Sequence, residues 1–260
     1  MGLWDAIFHT SVKEEDKRRF SEALALYNSC PTSVGNPSAE TLSAAKENLS
    51  EMHELAQRGY EPAQKFLRDV EECERALAAY DCEYYQEALG SLLKLADSGF
   101  AAAAEMVGAM YWQGMSALMG IETAIHYLLI AASQGRPAAG SYLASAYAAD
   151  SPSSDAAKYF RWALWSAEKN VPDAQRAVGD AYVRGFGVER DFQKAAYWLE
   201  KASRQEDPQA QYMLACLYEC GDGFPRDRAE SAYWLKKAAE NGHEKARHFW
   251  ATSGDLMSVT

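Results

Sequence analysis

Cys216 and Cys220 stand one helical turn apart, a spacing at which two thiolates can share one metal ion. A structural zinc site wants four ligands, and no second pair lies nearby in sequence, since Cys30, Cys73 and Cys82 are scattered upstream. His243 and His248 are five residues apart, so they do not share a helix face as a His-x-x-x-His pair does. Gly185-x-Gly187 and Gly221-x-Gly223 have the look of phosphate loops, but neither follows a strand or has a lysine placed as in a P-loop. The cluster Glu71, Glu72 and Glu74 reads as a solvated helix face. With no nucleophile, base and orienting group assembled, the chain is expected to be non-catalytic and to carry no metal or cofactor. Five cysteines, an odd count without a secretory leader, fit reduced thiols in a reducing compartment, so cytoplasmic residence is the expectation.

The elements that position these residues are written twice over. Ala174/Ala210, Tyr182/Tyr218, Gly185/Gly221, Asp191/Asp227 and Trp198/Trp234 all differ by 36. A fixed period of this length marks stacked units, each of which buries its apolar face only against its neighbours. Within one unit Ala174, Val178, Ala181 and Tyr182 form one helical stripe. The turn Gly185-Phe186-Gly187 follows, where two residues are free to take positive φ, and the repeat itself accounts for both glycines. Asp191 and Asp227 then sit where a helix N-terminus wants a carboxylate, and Pro172 and Pro208 restart the chain before each new first helix. Gly179, Ala195 and Ala202 let backbones approach, with Tyr182 and Trp198 filling the remaining space.

Weaker copies precede these two. Residues 139–167 match with Leu143, Tyr147, Asp155 and Trp162, but their turn is Asp150-Ser151-Pro152; residues 103–132 match with Val107, Gly108, Tyr111, Gly114, Ala124, Tyr127, Ala131 and Ala132. The junctions LAQRGYEPAQ at 55 and LADSGFAAAA at 95 imply a longer unit with helices near 61–80 and 83–97. Further back, a helix over Lys13–Ser29 carries Phe20, Ala23, Leu24 and Tyr27 on one side. A loop over 31–37 follows, and Ser38 is placed to cap a long helix to Arg58. Trp4 and Phe8 are expected to pack on the next helix. The expected organisation is an N-terminal cap or extension over 1–39, a repeat array over 40–242 and a capping helix and tail over 243–260.

The pattern Ala174, Val178, Gly179, Tyr182, Gly185, Gly187, Val188, Asp191, Lys194, Ala195, Trp198, Lys201 and Ala202 resembles the SEL-one-like repeat family, a relative of the tetratricopeptide repeat. The resemblance implies an all-α, right-handed solenoid of stacked helical hairpins used for protein–protein contacts, with the first helix of each pair on the concave side. Cysteine-rich relatives staple adjacent helices with disulfides, whereas Cys216 and Cys220 share a single helix here. Residues of the first helices that the packing template leaves over are then the candidates for a binding groove. They are Lys65, Asp69 and Glu72; Glu105, Trp112 and Gln113; Ser141 and Ser145; Arg176, Asp180 and Arg184; and Tyr212 and Glu219. Trp112 and Tyr212 are the aromatic anchors, although Trp is also a common core filler. Arg176 and Arg184 could hold a carboxylate, or pair at helical spacing with Asp180 between them.

Charge narrows the partner. With 37 acidic against 26 basic residues, the net of −11 opposes nonspecific binding to nucleic acid or to anionic lipid. No apolar run is long enough to span a membrane, and Ala6 stands where a myristoylation signal wants Ser or Thr. The reading is therefore an interaction adaptor that binds a protein through the concave face. The alternative is an immunity or inhibitor protein that neutralises a bacterial toxin or effector one to one, and an enzyme or metal protein on the same scaffold comes third.

Overall fold

The computed structural model describes residues 3–29, 49–82, 84–114, 120–148, 154–223 and 225–257. Among them the chain is helical, without a strand. In order the helices are α1 (Leu3–Ser29), α2 (Ser50–Gln57), α3 (Glu61–Asp81), α4 (Tyr85–Asp97), α5 (Ala101–Trp112), α6 (Ile121–Ser133) and α7 (Pro137–Ala146). They continue as α8 (Ala156–Glu168), α9 (Pro172–Arg184), α10 (Phe192–Arg204), α11 (Pro208–Cys220), α12 (Arg228–Glu240) and α13 (Glu244–Met257).

Helix starts follow capping chemistry. The carboxylates of Asp155, Asp191 and Asp207 accept the backbone N–H three residues on, and Asp227 accepts from both Ala229 and Glu230. Each satisfies donors that the first turn would otherwise leave open. Pro172 and Pro208 open α9 and α11, where the missing N–H has no intrahelical partner to lose. The first helices α9 and α11 end on Gly185 and Gly221 in left-handed conformation, φ 71° and 76°, which turns the chain back along itself.

Small residues set how closely each pair packs. A methyl on Gly179 would come within 2.6 Å of Leu199 Cγ, and one on Gly108 would meet Leu128 Cγ at the same distance. These glycines hold equivalent places in α9 and α5, so the two hairpins share one close helix crossing. Around it Ala174, Val178, Ala181, Ala195, Leu199 and Ala202 are buried. Stacking of hairpin on hairpin continues this core, as a repeat array requires.

Two compact units divide the chain, residues 1–142 and 143–260. Within the first, α2 to α6 pack each on the next; within the second, α8 to α13 do the same. The helices expected near 61–80 and 83–97 are α3 and α4, and the one expected from Lys13 already runs from Leu3. The helix start at Ser38, the loop over 31–37 and the turn at Asp150-Ser151-Pro152 lie outside the described residues, as do the side chains of Trp4 and Phe8. What is described of the expected Ser38–Arg58 helix is α2.

Candidate interaction surface

The first helices α3, α5, α7, α9 and α11 carry the residues singled out from sequence, and one position on them is used repeatedly. It is the fifth residue of the helix: Lys65, Glu105, Ser141, Arg176 and Tyr212. In three hairpins its side chain reaches the residue just before the next first helix, 31 positions on. Glu105 takes a bidentate pair from Arg136, Nε to Oε2 at 2.9 Å and Nη2 to Oε1 at 3.1 Å. Arg176 Nε donates to Asp207 Oδ2 at 3.0 Å, with Nη2 on Asp173. Tyr212 stacks on His243, ring centroids 4.3 Å apart and planes 15° from parallel.

Three of the expected groove residues are therefore joints between hairpins. Glu105 is 5% exposed and Arg136 is 0% exposed, so neither is available to a partner. Burial works against the Arg136 charge, but the Glu105 carboxylate holds the guanidinium protonated and above its ordinary value. Ser141 is also buried and is withdrawn as a surface residue. Arg176 and Tyr212 are half-buried and already engaged. The signal for these joints was available as complementary pairs at constant separation, Glu105/Arg136 and Arg176/Asp207.

The other candidates lie nearer the surface. Arg184 is exposed and pairs with Asp180 at 3.2 Å, the helical-spacing arrangement. Glu219 pairs with Arg226, and Trp112, Gln113 and Ser145 are half-buried. Lys65 is exposed, while Asp69 and Glu72 are half-buried. Burial raises the Asp69 carboxyl above its ordinary value, with Lys65 pulling the other way.

Lys65 and Asp69 line a cleft of about 200 Å³ whose opposite wall is α1, through Phe20, Leu24 and Asn28. Phe20 packs on Tyr60 and Phe66 at 5.7 and 6.2 Å, and Tyr27 packs on Phe66 and Phe100 at 5.1 and 6.3 Å. Tyr27 also lies close enough to Arg136 to act on its charge. Tyr60, Phe100 and Arg136 are the residues that open three successive first helices, so α1 runs across the openings of consecutive hairpins. Arg19 holds Glu51 and Glu54 of α2, and Arg58 holds Asp16 at 3.0 Å, fixing its register. The aromatic contacts supply apolar area and the ion pairs supply direction.

The four described cysteines are all free thiols. Cys73 is buried 3.9 Å from Met106 Sδ, and burial pushes its thiol up to about 12. Cys82, Cys216 and Cys220 are exposed free thiols, and burial of the Cys216 sulfur raises its value too. Among the described residues no group of three or more His, Cys, Asp or Glu could hold a metal ion, and no helix is long and apolar enough to cross a membrane.

Comparison with known proteins agrees with the architecture. The Sel1 repeat model matches residues 101–135, 172–207 and 208–243. A Sel1 repeat protein from Oxalobacter formigenes is 24% identical over 69% of this chain and 74% of that one, with a TM-score of 0.62. The protein c5321, a protective antigen of uropathogenic Escherichia coli strains displaying an SLR fold, is 25% identical over 80% of this chain, with a TM-score of 0.64. This chain spans only 44% of that protein. Immunity protein Pa5087 from Pseudomonas aeruginosa matches at 17% identity over 87% of this chain and 82% of that one, and its TM-score of 0.45 carries no functional argument. No curated protein sequence matches significantly. The doubled segment and its upstream copy at 101–135 are Sel1 repeats, and the chain folds as an all-α solenoid of stacked helical hairpins of the SEL-one-like repeat kind.

Proposed function

We propose that the chain is a non-catalytic scaffold that binds a protein partner along its first helices. The Sel1-repeat fold commonly serves protein–protein contact. The observation that carries the reading here is α1, a helix seated across the openings of successive hairpins with Ala23 and Tyr27 buried. A surface that holds one helix of its own chain has the shape and chemistry to hold a partner's, by the helix-in-groove mode. Beside α1 the cleft at Lys65 and Asp69 stays open, and an apolar cavity of about 150 Å³ is known to take one benzene ring, so this one has room for a single aromatic anchor. In the C-terminal unit, taken by itself, Arg184, Asp180, Glu219 and the half-buried Tyr212 give α9 and α11 a polar surface of their own.

Affinity purification of the full chain from its native cell, read by mass spectrometry, tests this. Wild type is expected to retain a stoichiometric protein, and Lys65→Glu or Arg184→Glu to lose it with helical content unchanged by circular dichroism. Absence of any stoichiometric protein, or full retention by both variants, would overturn the assignment to this face.

A further inference from the structure

The second helices of the C-terminal unit carry a surface of a different kind. Arg161 and Trp165 of α8 recur 36 residues later as Tyr197 and Lys201 of α10, so cations and rings alternate at one helical position from hairpin to hairpin. Lys201 Nζ lies 4.6 Å from the Tyr197 ring centroid and 4.8 Å from that of Trp198, and Lys169 Nζ lies 4.9 Å from Trp165. Six cation–π contacts fall between Tyr147 and Lys201. Tyr197 is 53% exposed. Helix α9 packs on both α8 and α10, and Phe186, from the turn after α9, packs on Tyr159 at the start of α8. The two second helices therefore flank one first helix.

The cations here differ from most others in the chain. Arg184, Arg204, Lys194 and Lys158 each sit within 4 Å of a carboxylate. Arg161, Lys169 and Lys201 have no carboxylate within that distance among the described residues. In a chain with a net charge of −11, three such cations beside the exposed Tyr197 ring and the half-buried Trp165 ring make a locally positive surface.

We propose that the outer face of α8 and α10 docks an acidic segment of a partner protein. Its carboxylates meet Arg161, Lys169 and Lys201, and its apolar side chains lie on Trp165 and Tyr197. Charge complementarity selects this occupant, and the rings supply the area that a purely ionic contact lacks. A phosphate polymer or an anionic membrane extends past this face onto a chain of net charge −11, which opposes it more than it opposes a short segment. This surface is independent of the first-helix face and stands or falls separately from it.

The test uses the full chain and a fluorescein-labelled copolymer of Glu and Tyr, followed by anisotropy across a salt series. Saturable binding that weakens as salt rises is expected, with a loss of roughly tenfold or more in Arg161→Glu/Lys201→Glu. Tyr197→Ala, which leaves charge unchanged, is expected to weaken binding several-fold, and Arg75→Ala, at an exposed position on α3, to leave it as in wild type. Circular dichroism confirms that each variant folds. The proposal is overturned by no saturable binding or by charge reversal without effect. Equal loss in Arg75→Ala, or equal affinity for a single-stranded oligonucleotide or phosphatidylserine vesicles, overturns it too.

Discussion

Glu105, Arg176 and Tyr212 occupy one architectural place and solve it with three chemistries: a buried ion pair, a half-buried ion pair and a ring stack. The costs of breaking them differ accordingly. Arg136→Ala leaves the Glu105 carboxylate buried without the guanidinium, and such a loss typically costs about 3–5 kcal/mol. Urea denaturation should show that fall, and should show a much smaller one for the double replacement Glu105→Leu/Arg136→Met, which removes both charges together. Equal losses in the single and the double variant would mean the site is governed by shape, not charge. Arg184→Ala, at an exposed pair, is expected to cost below about 1 kcal/mol in the same measurement. The positions that fail to repeat were legible in sequence as the variable ones. Their partners were not, because a contact at a separation of 31 depends on how long the hairpin is and where its junction turns. Non-repeating residues proved to include joints as well as free surface, and Glu105 and Ser141 went from candidates to interior for that reason.

Caps and junctions carry the element scale. These were the most legible features, since Asp191, Asp227, Gly185 and Gly187 follow from local backbone chemistry that the period copies. The junction residue after each second helix is less uniform: Gly59, Gly99, Gly135 and Gly242 take positive φ, but Asn170 and Glu206 take it too, at 67° and 66°. A left-handed residue other than Gly or Asn costs about 1–2 kcal/mol, partly offset by the entropy that Gly gives up. Glu206→Gly should therefore raise stability by about 0.5–1 kcal/mol in urea, and an unchanged midpoint would locate no strain there. His243 adds a pH dependence, because its Nδ1 accepts the Ala246 N–H at the start of α13 and that needs a neutral ring. Burial first, then Lys245, lowers its value below 6.5, against Glu244 and Asp207. A depressed value in the folded state means that the stability is present above about pH 6.5 and lost as pH falls through the lower folded value. Melting at pH 7.5 and pH 5 should show a smaller acid loss in His243→Asn, which keeps an acceptor at the cap, than in wild type.

At the scale of the whole chain, α1 decides which first-helix surface stands open. Residues 30–48, which connect it to α2, lie outside the described residues, and from sequence it read as part of an N-terminal cap or extension. No periodicity announced its course over Tyr60, Phe66 and Phe100, because it belongs to no repeat and its contacts bring together residues from two hairpins. In a stacked array stability is nearly a sum of local and nearest-neighbour contributions, so an element held at a few contacts can loosen without the rest. Tyr27 is fully buried and is the ring that reaches furthest along the hairpins. Truncating a buried ring to Ala commonly costs about 3–5 kcal/mol. Tyr27→Ala should concentrate that loss in α1: amide exchange of residues 14–29 speeds by orders of magnitude, while α9 to α12 keep wild-type protection. The face that α1 covers then opens, and if partner binding uses that face, the variant retains more partner than wild type in the same affinity purification. Uniform loss of protection through α12 would instead make α1 part of the cooperative core and remove its standing as a built-in example of a docked helix.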